Sequence, residues 1–242
     1  MNTIVVTGAS SGIGRAVAEK FIAQGWTVGL IARRADALNA VAAHAPNVHV
    51  LPCDVTDPSA VETAFDTFTT HAGRIDVLFN NAGIFTPAAS IDEVSIDDWT
   101  NAVSVNLTGM FLCARAAFKH MRHQDPQGGR IINNGSISAH APREGAVTYT
   151  TTKHGITGLT KTLVLDGRPF DITASQIDIG NAQTDLLRGI IDAAVASGQD
   201  APPSMEVSHV VDAVWNMANL PLHANTLFQT IMATKMPFVG RG

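Results

Sequence analysis

The feature that most constrains the fold is a glycine-rich turn between a short apolar strand and an amphipathic helix. Residues 4–6, Ile-Val-Val, form a β-branched run typical of a buried parallel strand. The turn after this run has the spacing Gly8-x-x-x-Gly12-x-Gly14, and a helical pattern follows through residues 16–22. Glycines in such a turn allow unusual φ angles and close approach of a phosphate, while the helix N-terminus offers free N–H groups. An ordinary tight turn is the alternative, but the arrangement favours a nucleotide site in which Gly14 lets the helix pack closely on the strand.

Apolar runs that look like strands alternate with helical patterns along the chain, and no linker interrupts them. The chain has 242 residues, of which 45% are hydrophobic and only 15% are charged. This composition suits a sheet that is covered by helices on both faces. We therefore expect one doubly wound α/β domain of the Rossmann type over residues 1–242, with a parallel sheet of about seven strands.

The charge and the cysteine content argue against several classes of protein. The net charge of −5 gives no general attraction for nucleic acid or an anionic membrane, so we expect neither as a partner. Cys53 and Cys113 are too few for a disulfide framework or a zinc site, and we expect both to be small buried hydrophobes. The sequence shows no charged leader and no apolar run long enough to span a bilayer, which predicts a cytoplasmic protein.

Tyr149 and Lys153 form the pair with the clearest chemical potential. Tyr149 is the single tyrosine of the chain, and Lys153 follows it by four residues. On a helix such residues share a face, so we expect the ammonium group to lower the pKa of the phenol. A surface tyrosine and lysine one turn apart would be the alternative, and the other motifs of the chain decide against it.

Several motifs together resemble the pattern of the short-chain dehydrogenase/reductase family of the Tyr-x-x-x-Lys type. They occur in the family's order, over residues 3–184: Thr7-Gly8-x-x-x-Gly12-x-Gly14, Asn80-Asn81-Ala82-Gly83, Asn106, Ser136 and Tyr149-x-x-x-Lys153. The resemblance implies an oxidoreductase that acts on CH–OH donors with NAD(P) as acceptor and needs no metal.

The resemblance implies four catalytic residues. Ser136 precedes Tyr149 by thirteen residues, the spacing of the family's catalytic serine, and Ser138 is the alternative. Tyr149 would be the general acid or base, while Lys153 would also hold the nicotinamide ribose. Asn106 would hold a water that links Lys153 to solvent. An asparagine within a helix is intrinsically unfavourable, so its side chain either faces solvent or has a buried polar partner.

The resemblance also implies a cofactor site built by the segments that follow successive strands. Ile179 replaces the family's proline before Gly180, while Thr184 remains for a contact with the carboxamide. The implied cofactor-binding residues are Gly8, Ser10, Ser11, Gly12, Ile13, Gly14, Arg33, Arg34, Asp54, Val55, Asn81, Ala82, Gly83, Tyr149, Lys153 and Thr184.

Arg33 favours NADP(H) over NAD(H). In dinucleotide-binding domains a carboxylate about 20 residues after the glycine turn receives the ribose hydroxyls and selects NAD. Here Ala32 stands at that place and Arg33 follows it. The guanidinium can bind a 2′-phosphate through a fork of donors, and we expect Arg33 to be the main ligand and Arg34 a secondary one.

The pattern over residues 95–120 predicts a long helix whose apolar stripe consists of Trp99, Val103, Leu107, Phe111 and Phe118. Further apolar residues on that helix suggest a subunit interface. The resemblance to the family implies a homodimer or homotetramer built on this helix and the Tyr149 helix. Residues 185–205 have no recognisable signature, and we expect them to form a substrate lid. Loop residues such as His140 receive no role, and the tail over residues 236–242 has no clear function.

The sequence therefore predicts an NADP(H)-dependent oxidoreductase that interconverts a carbonyl and a secondary alcohol on a small organic substrate. Two alternatives remain, a non-catalytic dinucleotide-binding sensor or scaffold and an enzyme that oxidises alcohols with NAD. The substrate, its stereochemistry and the physiological direction are not encoded in any motif of the chain.

Overall fold

The computed structural model describes residues 2–43 and 45–239, and its centre is a seven-stranded parallel sheet. The spatial order of the strands is β3-β2-β1-β4-β5-β6-β7. Their bounds are β1 Thr3–Thr7, β2 Thr27–Ala32, β3 Val48–Pro52, β4 Val77–Asn80, β5 Gly129–Asn134, β6 Ile172–Ile179 and β7 Phe228–Ile231. This is the doubly wound Rossmann-type fold that the sequence predicts.

Helices connect the strands and cover both faces of the sheet. They are α1 Gly12–Ala23, α2 Ala35–Ala42, α3 Pro58–Ala72, α4 Ile96–Val103, α5 Met110–His123, α6 Val147–Gly167, α7 Asp185–Ala196 and α8 Val207–Ala218. A π-helical turn over Ser104–Gly109 joins α4 to α5, and a 3₁₀ turn over Ile137–Ala139 follows β5. No helix in the described ranges has the length and hydropathy needed to cross a bilayer.

Two apolar cores hold the helices on the sheet. On one face α1, α2 and α8 pack around Phe21, whose ring meets Trp26 at 4.8 Å and Trp215 at 5.0 Å between centroids. On the other face α3, α5 and α6 enclose Phe65 and Phe68, both fully buried. The β-branched strands are thus buried on both sides, which explains why they read as continuous apolar runs.

The apolar stripe predicted over residues 95–120 does not form one buried face in the structure. Trp99 is 37% exposed and Phe111 is 48% exposed, so neither faces the sheet. The buried side of α5 consists instead of small and flexible residues such as Cys113, Ala114 and Ala117. A helix that lies close to a sheet has room for small side chains, and the large ones turn outward.

The parallel order brings one end of every strand to the same edge of the sheet. The order reverses between β1 and β4, which is where open α/β sheets bind ligands. The segments that leave this edge carry Gly8, Arg33, Asp54, Asn81, Ser136 and Gly180. The fold therefore collects most of the predicted site residues along one crevice.

Candidate active site

The glycine turn after β1 leaves the start of α1 open. Gly8 and Gly12 have φ angles of +67° and +55°, a conformation that side chains disfavour. α1 begins at Gly12, and the side chain of Ser11 makes no capping hydrogen bond. A Cβ atom on Gly14 would lie 2.3 Å from the Gly8 carbonyl oxygen, so the close packing of helix on strand requires glycine there. The uncapped helix start fits a phosphate group.

Asn81 holds this turn against the end of β4. Its Nδ2 donates to the Thr7 carbonyl at 2.9 Å, and its own N–H donates to Thr7 Oγ1 at 2.8 Å. The N–H of Ala82 also donates to Thr7 Oγ1, at 2.9 Å, while Asn134 Nδ2 donates to Asn81 Oδ1 at 2.8 Å. Asn81 and Ala82 thus lie beside the turn, and the Asn81 side chain makes its hydrogen bonds within the protein.

The ends of β2 and β3 carry the residues predicted for the adenosine side. Arg33 and Arg34 are exposed, and Arg34 is the N-cap residue of α2. Hydrogen bonds from Thr56 to Asp54, followed by the positive charge of Arg33, lower the pKa of the Asp54 carboxyl. Val55 is buried, and its side chain packs against the backbone at Gly109. A Cβ atom on Gly109 would lie only 2.8 Å from Val55 Cγ2, so a larger residue there would collide with it.

Thr184 lies close to the glycine turn. Its methyl group would be 3.4 Å from a Cβ atom on Gly12. The departure from the family pattern at Ile179 leaves β6 regular, since Ile179 pairs with Ile231 of β7. Thr184 therefore lies next to the glycine turn although the family's proline before Gly180 is missing.

Asn106 occupies the π-helical turn and has a buried polar partner. Its Oδ1 accepts from the Ile84 N–H at 2.7 Å, and its Nδ2 donates to the Ile84 carbonyl at 2.9 Å. Asn106 is 1% exposed, so its side chain does not face solvent and instead has the buried polar partner that was the other possibility. Such π-turns are frequent at functional sites. Asn106 fixes the segment after Gly83, where a Cβ atom would lie 3.3 Å from its Oδ1.

Lys153 is buried directly behind the candidate active site. Its Nζ donates to the Asn134 carbonyl at 2.7 Å and lies 5.4 Å from the centre of the Tyr149 ring. Burial lowers the pKa of Lys153 to about 8, and the charge of Asp178 opposes this effect.

Tyr149 does not have the lowered pKa that its spacing from Lys153 predicts. Burial raises the pKa of its phenol, and a hydrogen bond with Ser136 acts in the opposite direction. Desolvation is the largest influence on this phenol, and the spacing of two residues along a helix does not report it. Phe85, which sequence reasoning missed, stacks on the Tyr149 ring with 4.5 Å between centroids.

Ser136 follows β5 and is the serine that meets Tyr149. Its Oγ accepts from the Ser138 N–H at 3.1 Å, and its hydroxyl is close enough to the Tyr149 phenol to lower the pKa of that group against the effect of burial. Ser138, the alternative, is 1% exposed within the 3₁₀ turn. The structure thus brings together two hydroxyl groups and an ammonium group at the edge of the sheet, an arrangement that can polarise and protonate a carbonyl oxygen.

Sequence reasoning also missed a carboxylate beneath Ser136. Asp178 Oδ1 accepts from the Ser136 N–H at 2.9 Å, and its Oδ2 lies 2.7 Å from His140 Nε2. A signal for it exists in the sequence, because one acidic residue interrupts the apolar end of β6 between Ile177 and Ile179. His140, to which the sequence gave no role, therefore contacts a fully buried carboxylate.

Comparison with known proteins agrees with this geometry. A 3beta-hydroxysteroid dehydrogenase of Mediterraneibacter gnavus is 34% identical over 187 residues, which cover 76% of this chain and 67% of that protein. A meso-2,3-butanediol dehydrogenase of Serratia marcescens is 32% identical over 238 residues, with 90% and 92% covered. Among solved structures, the closed form of serine dehydrogenase complexed with NADP⁺ superposes with a TM-score of 0.89 at 26% identity, over 99% of this chain and 98% of that one.

The sequence model of the short chain dehydrogenase family matches residues 2–194. This range runs from β1 to α7 and contains the glycine turn, Ser136, Tyr149 and Lys153. The chain is therefore an oxidoreductase that belongs to the short-chain dehydrogenase family.

Proposed function

We propose that the chain interconverts a carbonyl and a secondary alcohol on a small organic substrate, with NADP(H) as cofactor. The observation that carries this proposal is that Ser136 and the Tyr149 phenol interact beside the buried ammonium group of Lys153, whose Nζ lies 5.4 Å from the centre of the Tyr149 ring. Membership of the family supports the reaction class. The exposed guanidinium of Arg33 at the end of β2 supports the cofactor preference.

Ser136 and Tyr149 act on the oxygen of the substrate. Negative charge develops on that oxygen during reduction, and two fixed hydroxyl donors stabilise it more in the transition state than in the ground state. A bound nicotinamide supplies or accepts the hydride. Because burial raises the pKa of Tyr149, its phenol is protonated at neutral pH and suits the role of general acid in reduction.

Lys153 and Asn106 support the proton transfer from behind. The Lys153 ammonium group is anchored on the Asn134 carbonyl and faces the nicotinamide ribose in the proposed complex. With a pKa of about 8, Lys153 can exchange a proton near neutral pH. Asn106 holds the Ile84 backbone and lines the path by which a water reaches Lys153.

Sixteen residues form the proposed cofactor site, as the sequence predicts, and the glycine turn is its best-supported part. The open N-terminus of α1 would bind the pyrophosphate. Asp54 and Val55 would border the adenine, Asn81, Ala82 and Gly83 would line the adenosine ribose, and Thr184 would contact the nicotinamide carboxamide. The serine dehydrogenase of similar structure binds NADP⁺, which supports the same class of cofactor here.

Residues 185–205 form the proposed lid. The two ends of this segment lie side by side. Ala182 forms a β-bridge with Met205, and the Gln183 N–H donates to the Met205 carbonyl at 2.9 Å. A segment closed at its base can move as a unit over the substrate.

We also propose that the chain is a homodimer or homotetramer. Ile96, Trp99 and Phe111 on α4 and α5 are all exposed, and so is Leu165 on α6. Large apolar side chains on neighbouring helices favour burial against a second copy of the same surface.

The test is the rate of NADPH and NADH oxidation with a panel of ketones, aldehydes, sugars and oxo-steroids. Tyr149→Phe is the control, because it removes only the acidic hydroxyl group. We expect turnover with NADPH that disappears in this variant while cofactor affinity remains. Turnover that persists in Tyr149→Phe would show that another group is the acid, and tight NADPH binding without reduction of any compound would favour a sensor.

A further inference from the structure

The carboxylate of Asp178 contacts both ends of the turn that carries Ser136. The residue is 0% exposed at the end of β6. Its Oδ1 accepts from the Ser136 N–H at 2.9 Å and from Gln176 Nε2 at 2.8 Å. Its Oδ2 lies 2.7 Å from Nε2 of His140, the residue that follows the 3₁₀ turn. One carboxylate thus holds the first and the last residue of this turn.

The backbone before Ser136 is shaped for this contact. A Cβ atom on Gly135 would lie 2.1 Å from Asp178 Oδ1, so only glycine lets the carboxylate approach so closely. The Gly135 N–H donates to the Ile177 carbonyl at 2.8 Å, which continues the alignment of the two strands. The carboxylate is therefore part of the architecture that places Ser136.

His140 completes the coordination of the carboxylate and shields it from solvent. Because a carboxylate accepts, Nε2 of His140 must carry the proton, and Asp178 thereby fixes the tautomer and the ring plane. The other side of the imidazole meets the ring of Phe238 edge-on, with 6.2 Å between centroids. The His140 side chain is 41% exposed while that of Asp178 is not exposed at all. Without this histidine, one oxygen of a buried carboxylate would lack its donor.

We propose that Asp178 and His140 are positioning residues that hold the Ser136 hydroxyl in its catalytic place. The proposal rests on the proposed function, since it takes Ser136 as a donor to the substrate oxygen. After burial, which dominates both shifts, the charge of the carboxylate adds to the rise in the pKa of Tyr149 and opposes the fall in the pKa of Lys153, which agrees with its place next to the reacting groups. Neither residue needs to touch the substrate for this role.

The first test compares His140→Phe with His140→Gln. Phenylalanine keeps a ring beside Phe238 but cannot donate, whereas glutamine carries an N–H at a similar reach. Since small misplacement of a catalytic group costs up to about 100-fold in rate, we expect His140→Phe to lower kcat by about 10- to 100-fold. We expect His140→Gln to recover most of this loss. His209→Gln, an exposed histidine of α8, is the matched control and should leave kcat unchanged.

The second test repeats His140→Phe in a Ser136→Ala background. If His140 acts through Ser136, its replacement costs little further rate once the hydroxyl is absent. The same fold loss in both backgrounds would overturn the proposal. An increase in KM at constant kcat would also overturn it, because this result indicates that His140 contacts the substrate. Equal losses of kcat in His140→Phe and His140→Gln would overturn it too. A parallel loss of NADPH affinity and thermal stability would indicate a purely structural role and overturn it as well.

A readout that needs no turnover separates this proposal from the proposed function. In ¹⁵N-labelled protein, we expect the Ser136 amide to be protected from exchange and to lose protection in His140→Phe and in Asp178→Asn. An unchanged Ser136 amide would overturn the positioning role even if the enzyme is active. Absence of turnover in the unaltered protein, with Ser136 responding as expected, would instead refute the proposed function.

Discussion

Replacement of Arg33 by alanine tests the cofactor preference, because this guanidinium is the main predicted ligand of the 2′-phosphate that distinguishes NADP(H) from NAD(H). Arg33 is exposed at the end of β2, and its charge reaches Asp54. Within residues 2–43 and 45–239, none of the salt bridges involves Arg33 or Arg34. The side chain is therefore available to a 2′-phosphate.

The magnitude follows from this exposure. A hydrogen bond to a charged group contributes about 1.5–3 kcal/mol, and an exposed site argues for the lower half of that range. A loss of about 2 kcal/mol corresponds to about 30-fold weaker binding of NADPH. The affinity for NADH should not change, because it has no phosphate at this position. Ala32→Asp should act in the opposite sense, since its carboxylate repels the 2′-phosphate and can accept from the ribose hydroxyls.

The assay is calorimetric titration of each variant with NADPH and with NADH at low salt. Arg34→Ala is the matched control: the same charge is lost one residue later, and we expect a smaller effect. Equal weakening of both cofactors by Arg33→Ala, or a larger effect of Arg34→Ala, would refute the assignment. Unchanged NADPH affinity in Arg33→Ala would refute it too.

Three further predictions concern the turn and the titrating groups. Gly14→Ala should destabilise the fold by about 1–3 kcal/mol, because the new Cβ overlaps the Gly8 carbonyl oxygen, and should weaken NADPH binding; unchanged melting and binding would contradict this. For alcohol oxidation, kcat should rise between about pH 7 and pH 10, because the raised pKa of Tyr149 leaves little phenolate at neutral pH. A flat pH profile of kcat would show that this phenol is not the base. In denaturant titrations, the free energy of unfolding should rise between about pH 8 and pH 10, because Lys153 keeps its proton in the unfolded chain but has lost it in the folded one. An identical rise in Lys153→Met would show that another group causes the pH dependence.

The sequence predicted the strands and the family motifs because both depend on local patterns. β-branched runs indicate strands that are buried on both faces of the sheet. Asp57 followed by Pro58 marks the start of α3, where the Asp57 carboxylate accepts from the Ser59 N–H at 2.8 Å. The glycine turn and the Tyr149 helix are also local features. Their place at the same edge of the sheet was implied by the resemblance to the short-chain dehydrogenase/reductase family and not by spacing alone.

What the sequence did not predict depends on contacts between distant segments. His140 and Asp178 are 38 residues apart, and no periodicity links them. The pKa of Tyr149 depends on burial, which spacing does not report. The outward direction of Trp99 depends on how closely its helix lies to the sheet, and apolar periodicity shows only that one face is apolar.

The position of β1 in the sheet has a consequence for synthesis of the chain. β1 pairs with β2 and β4, so the order β3-β2-β1-β4 can form once residue 80 has been made. β4 must then wait for β5, which begins at Gly129, and its apolar edge at Val77, Leu78 and Phe79 stays unpaired meanwhile. An exposed strand edge of this kind is open to wrong pairing. The nascent chain therefore needs protection most between completion of its nucleotide-binding half and arrival of the strand that carries Ser136.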